Sequence, residues 1–209
     1  MENASNIFLL LTAITATIMY GKYKDTPLKY LPYYLWYATI LEFGADYLGY
    51  LDISSIIWYN IGINIELLFY FYIYYNYLKN KKIKKFLLYG AVFYELYFLI
   101  NWVILESWGD YQVFPFTLGG ILMIVIVYLF LLEMFQSDKI LNTHNYLIFW
   151  ISLGLLFYNI IPLPLFVIRS IVSINNYYSI MFIQYIANII MYVLFIYGFI
   201  WSSMKYKSL

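Results

Sequence analysis

Seven apolar runs, each close to the length a helix needs to cross a bilayer, constrain this chain more than any motif does. A spanning helix takes about 20 mostly apolar residues to cover roughly 30 Å of hydrocarbon. Runs of that kind occupy approximately 4–21, 30–50, 56–78, 86–105, 116–135, 146–168 and 178–203. Polar breaks separate them at Lys22–Asp25, Leu51–Ser55, Lys79–Lys85, Glu106–Pro115, Gln136–Asn145 and Arg169–Asn176. Connections this short imply antiparallel neighbours. The expected fold is therefore an all-α membrane protein, one domain over residues 1–209, built as a compact bundle of seven transmembrane helices.

Composition agrees with this. The chain is 65% hydrophobic and 11% charged, where soluble domains average about 45–50% and about 25%. A water-soluble fold of this size still leaves much of its surface wet and has nowhere to put so much apolar area. The alternating segments of about ten residues that mark a membrane β-barrel are missing. No loop is long enough to hold a soluble catalytic, nucleotide-binding or nucleic-acid-binding domain.

Charge sets the orientation. With the N-terminus outside, the inner side receives Lys22, Lys24, Lys29, Lys79, Lys81, Lys82, Lys84, Lys85, Lys139, Lys205 and Lys207, which is eleven of the twelve basic residues; Arg169 alone falls outside. Lys and Arg accumulate on the cytoplasmic side of membrane proteins, so the expectation is N-out and C-in, multi-pass, in a bacterial inner membrane. Trp58, Trp102 and Trp108 then mark the outer interface, and Trp36, Trp150 and Trp201 the inner one. The segment ahead of the first span carries no positive charge, so it reads as a translocated, retained N-terminus rather than a signal peptide. Lys79, Lys81, Lys82, Lys84 and Lys85 also form a contact patch for anionic lipid headgroups.

Ionisable residues within spans are costly, and by default they are candidate functional residues. Glu42 and Asp46 fall on the second span, Glu66 on the third and Glu95 on the fourth. Asn60, Asn64, Asn101, Asn159, Gln184 and Asn188 join them, mostly in the outer half, and no Lys, Arg or His shares those depths. A carboxyl in such surroundings keeps its proton unless a cation takes its place. The ten residues are the candidates for an outward-facing acidic pocket that takes a small, cationic ligand. Hydrogen-bond glue between helices is the structural alternative for each of them singly. Glu66 lies about 200° around its helix from Asn64, so the third span is polar on two sides and belongs inside the bundle.

Pro162 and Pro164 interrupt the backbone ladder of the sixth span, making a kink and a candidate hinge. Thr12, Ala13, Ala16 and Thr17, Ala45 with Gly49, and Gly119-Gly120 are small-residue faces for close helix packing. The tyrosines from Tyr70 to Tyr77 read as interface anchors, with a cation–π lining as the alternative.

Absences remove most named chemistries. The chain has no cysteine, which excludes disulfides, thiolate catalysis, Cys-based zinc sites and Fe–S clusters. The one histidine, His144, lies in an inner loop, so neither a three-His zinc site nor an HExxH protease can be assembled. A single intramembrane Asp rules out an aspartyl dyad, and the seventh span holds no Schiff-base lysine. No metal, cofactor or catalytic residue is expected, and the chain is not read as an enzyme.

Some stretches carry a family likeness: Phe149-Trp150-Ile151-Ser152-x-Gly154 followed by Phe157-Tyr158, then Asn188-Ile189-Ile190-Met191-Tyr192 and Phe195 to Phe199. Leu41-Glu42-Phe43-Gly44, Glu66 with Phe69-Tyr70, and Leu118-Gly119 with Glu133 fit the same pattern. Together they resemble an uncharacterised family of small seven-helix membrane proteins from Bacteroidetes-type bacteria. The resemblance implies a heptahelical protein found beside sensory genes, and it brings no catalytic set. The functional expectation is a receptor-like or regulatory protein that signals through a protein partner in the membrane or cytoplasm. An anti-phage defence effector acting on the bilayer and a small transporter are the alternatives.

Overall fold

The computed structural model describes residues 2–105, 109, 111–136, 140–164 and 177–203, and among these every regular element is a helix. In chain order they are α1 (Glu2–Ile18), the single turn α2 (Tyr20–Tyr23), α3 (Leu31–Tyr50), α4 (Ile56–Tyr77), α5 (Lys81–Ile100), α6 (Val113–Phe135), α7 (Leu147–Ile160) and α8 (Tyr177–Trp201). Trp108, Lys139, Arg169, Lys205 and Lys207, which enter the charge and tryptophan argument, lie outside the described residues.

Four segments are long and apolar enough to cross a membrane: Ile56–Tyr77, Lys81–Ile104, Val113–Phe135 and Phe182–Trp201. Ala4–Ile18 and Leu147–Ile160 are apolar but shorter. α3 has the length, but Tyr33, Tyr34, Tyr37, Tyr47 and Tyr50 together with Glu42 and Asp46 lower its mean hydropathy. The outside of the bundle is apolar along its height, with Ile18, Ile40, Phe93, Val103 and Ile104 all at least 60% exposed. Contiguous exposure on that scale belongs to a surface that water does not cover.

Two boundaries differ from the sequence reading. The lysine cluster was expected to interrupt the chain, yet Lys81, Lys82, Lys84 and Lys85 form the opening turns of α5. The Asn80 side chain caps that helix by accepting from the Lys82 amide at 2.9 Å, and long lysine stems can follow an apolar helix while their heads reach water. The sixth span was expected to run to 168 with a kink. α7 ends at Ile160 and a turn at Ile161 and Pro162 interrupts the helix, because proline has no N–H to extend the ladder; residues 163 and 164 are helical again, and 165–168 of the expected span lie outside the described residues.

The contacts describe a ring. α1 packs on α3, α3 on α4, α4 on α6, α6 on α7, α7 on α8, and α8 returns to α1. α5 stands outside this ring, against the backs of α4 and α6. Small residues set several of these approaches: Thr12, Ala13 and Ala16 on α1 are fully buried. A Cβ on Gly154 would lie 2.7 Å from Phe195, and one on Gly198 would lie 2.7 Å from Trp150, so α7 and α8 meet at two glycines. Gly119 of α6 sits likewise under Leu67 and Tyr94.

One half of the ring is built around a packed aromatic layer. Tyr74 of α4 reaches across to Ser152 of α7 at 2.8 Å, and Tyr74 and Tyr77 pack on Phe130 with ring centroids 5.4 and 6.0 Å apart. Phe195 and Phe199 complete this layer with no exposed surface. At that end Lys22 donates to the carbonyls of Phe199, Ile200 and Ser202, closing the last turn of α8. Cations belong there, because the last carbonyls of a helix carry partial negative charge. Beside it the Tyr23 hydroxyl donates to the Ala16 carbonyl. Burial, with Tyr20 adding to it, holds that phenol in its neutral, donating form by pushing its pKa up.

Candidate functional site

The other half of the ring is hollow. A cavity of about 480 Å³ runs inward from the end where α1, α4 and α6 begin. Its rim includes Ser5, Asn6, Ser55, Ile56 and Val113. Its depth is reached by Glu42 and Tyr34 of α3, Glu66 and Tyr70 of α4, and Asn188 and Tyr192 of α8. All six ring helices line it, with Tyr158 as the residue from α7, and no residue of α5 does.

Helical spacing explains why these side chains meet. Residues four apart share a helix face, which pairs Glu66 with Tyr70 and Asn188 with Tyr192, and lines Tyr34 up with Ala38 and Glu42. Three helices thus each present a polar group and a tyrosine to one space. Tyr34 lies beside the Glu66 carboxyl, within reach of its charge. Its ring stacks on Phe69 at 4.5 Å and meets Tyr70 edge-on at 5.4 Å, which fixes the hydroxyl's direction. Tyr158 and Tyr192 lie within electrostatic reach of both Glu42 and Glu66. The Tyr59 hydroxyl donates to Glu42 at 3.2 Å. No Lys, Arg or His is among the described lining residues.

Two lining groups are incompletely bonded. The Gln184 Oε1 and Asn188 Oδ1 atoms are buried and accept no hydrogen bond. A buried acceptor left unpaired costs about 1–3 kcal/mol, and a donor entering the cavity would recover that.

The ten candidates divide by location. Glu42, Glu66, Gln184 and Asn188 line the cavity. Asp46 stands one turn beyond Glu42 and accepts from Asn6 at 2.8 Å, joining α3 to a rim residue of α1. Asn64 faces the opposite way from Glu66 and donates to Glu95 of α5 at 3.3 Å. That accounts for the two polar sides of the third span: one faces the cavity, the other fastens α5. Asn60 and Asn101 form a buried latch with Gln112, which donates its amide N–H to Asn60 at 3.2 Å and accepts from Asn101 at 2.6 Å. Asn159 bonds back to the Leu155 carbonyl at 2.7 Å, outside the main cavity. Pro162 borders a small crevice beside Asn159, and Pro164 is exposed.

Among the cavity tyrosines, the sequence reading offered Tyr70 only as an alternative cation–π lining and missed Tyr34, Tyr158 and Tyr192. A tyrosine inside a span looks the same as an interface anchor until its neighbours are known. The usable signal was the repeated four-residue spacing between a polar side chain and a tyrosine on separate helices.

No family model, curated protein or solved structure matches this chain. Its function must be argued from the cavity itself. What the arrangement can do chemically is limited and clear. It can neutralise positive charge with two carboxyls, accept hydrogen bonds at two amide oxygens, and offer aromatic faces to a cation.

Proposed function

We propose that this chain is a seven-span, multi-pass protein of a bacterial inner membrane, with its N-terminus outside and its C-terminus inside. It binds a small cationic ligand in an outward-facing acidic cavity and acts as a receptor-like or regulatory protein through a partner. The observation that carries this reading is the convergence of Glu42 and Glu66 in one cavity, where no basic residue is found among the described lining residues. Four helices of sufficient length and apolarity, and the apolar exterior, support the membrane setting. The lysine asymmetry supports the orientation, which puts the rim outside and the packed aromatic layer inside. A cavity closed at one end suits binding followed by a shift in helix packing.

The test is thermal stabilisation of the purified protein in nanodiscs across a panel of inorganic cations and amines. A cation that raises the midpoint for wild type and loses its effect in Glu42→Gln/Glu66→Gln supports the reading. Stabilisation unchanged in the double variant would remove the cavity from the account.

A second space favours transport as the competing reading. A hollow of about 350 Å³ lies at the lysine-rich end, bordered by Lys22, Thr26, Tyr77 and Ser202. The Tyr74–Ser152 layer separates it from the main cavity, and a rearrangement of that layer would give alternating access. Cation uptake into proteoliposomes, abolished by Glu66→Gln, would favour transport over signalling.

A further inference from the structure

Resting on the cation-binding reading above, we infer that the cavity recognises a primary ammonium group on an apolar body. A bare inorganic ion, a quaternary ammonium or a neutral molecule fits it less well. Size is the first argument. The space of about 480 Å³ exceeds by an order of magnitude the roughly 30 Å³ that one water occupies in the liquid. It therefore has room for an organic body alongside a charged head. The second argument is the division of the lining. Glu66, Glu42, Asn188 and Gln184 supply acceptors, while Leu9, Leu35, Leu41, Ile63, Phe116 and Met191 supply apolar wall. A wholly hydrated ion has no use for that wall.

The third argument sets the number of N–H groups. A quaternary ammonium has no hydrogen to donate and is satisfied by ring faces alone. Here the Gln184 Oε1 and Asn188 Oδ1 oxygens are buried without a donor. They stand one turn apart on α8, in the same cavity as the Glu66 carboxyl. A –NH3⁺ group carries three donors and no acceptor, which matches one carboxylate plus two amide oxygens. The tyrosine rings of Tyr34, Tyr70, Tyr158 and Tyr192 then surround the first methylenes. Primary ammonium reaches a membrane cavity from two sources, a soluble amine or the headgroup of phosphatidylethanolamine, and both present the same chemistry.

The test uses full-length protein in phosphatidylglycerol nanodiscs, titrated calorimetrically with 2-phenylethylammonium, its N,N,N-trimethyl analogue and the neutral 3-phenylpropan-1-ol. The primary amine should bind about tenfold more tightly than the quaternary one, the worth of one buried hydrogen bond left unmade. Gln184→Leu/Asn188→Leu should bring the two affinities together, and Glu66→Gln should weaken both. Both amide positions tolerate an apolar residue of similar size in a lipid-embedded bundle, and a preserved thermal midpoint confirms folding. A fold that fails in those variants leaves the wild-type ratio as the deciding number. Adding phosphatidylethanolamine to the nanodiscs distinguishes the sources. Competition with the soluble amine assigns the site to the lipid headgroup, and no competition assigns it to a free amine. Equal or tighter binding of the quaternary ion overturns the primary-ammonium inference and leaves the cation site standing. Equal binding of the alcohol, or no binding of either ammonium, overturns both.

Discussion

Gly154 and Gly198 show how far single atoms determine the ring. A methyl on Gly154 would meet Phe195 at 2.7 Å and the Met191 carbonyl oxygen at 3.1 Å, and backbone cannot swing away as a flexible side chain can. Gly154→Ala should therefore lower stability by about 1–3 kcal/mol, the usual cost of overpacking, read as a fall in the thermal midpoint in nanodiscs. Gly49→Ala meets nothing within 4 Å and serves as the unaffected control. The sequence reading named Gly49 among the close-packing glycines and did not place Gly154 or Gly198 among them. Small size is visible in a sequence, but whether a neighbour lies above it depends on which helix arrives, and that is a property of the ring. The tyrosines were hidden in the same way. Tyr70 and Tyr72 read alike, yet one is buried beside the cavity and the other faces outward.

Element boundaries and pairings carry the next set of consequences. The four helices long and apolar enough to span were legible because twenty apolar residues in a row have few other fates. The start of α5 was not, since five lysines resemble a loop until Asn80 is seen capping a helix through them. Glu133 does a related service at that turn: its carboxylate accepts from the Lys79 and Asn80 amides at 2.6 and 3.3 Å, tying the α4–α5 connection to the end of α6. Glu133→Ala should speed hydrogen exchange at those two amides while leaving the cavity's ligand response unchanged. Unaltered exchange would contradict the clasp. The Asn64–Glu95 pair fastens α5 to the ring from outside. A double-mutant cycle with Asn64→Leu and Glu95→Leu should return a coupling of about 0.6–1.7 kcal/mol, the range for interhelical hydrogen bonds in membranes. Because neither residue lines the cavity, both single variants should bind the cation as wild type does. Loss of binding in Glu95→Leu would contradict the separation of α5 from the site.

At the scale of the molecule, the ring sets an acidic cavity holding Glu42 and Glu66 against a packed aromatic layer, with Lys22 beyond that layer. The division of charge could be read from the linear order of residues. The assignment of ten polar candidates to five separate places could not, because i,i+4 spacing fixes a shared face but not what the face meets. Glu66 and Asn64, two residues apart, end in the cavity and in the α5 interface respectively. The central claim is that an acidic cavity lies open to the outer side of the membrane. It is tested most directly by the charge selectivity of a reporter inside it. The chain has no cysteine, so Ile63→Cys places one thiol in the lining and Ser54→Cys places one on the exposed connection. Intact cells are treated from outside with membrane-impermeant cationic and anionic methanethiosulfonates of matched size. The cation-to-anion rate ratio at position 63, divided by that at position 54, should exceed unity by about tenfold or more, as expected where a carboxylate-lined cleft concentrates cations. It should fall towards unity in the Glu42→Gln/Glu66→Gln background. A ratio of one in the wild-type background, or a thiol at position 63 that reacts only after the membrane is opened, would contradict the account.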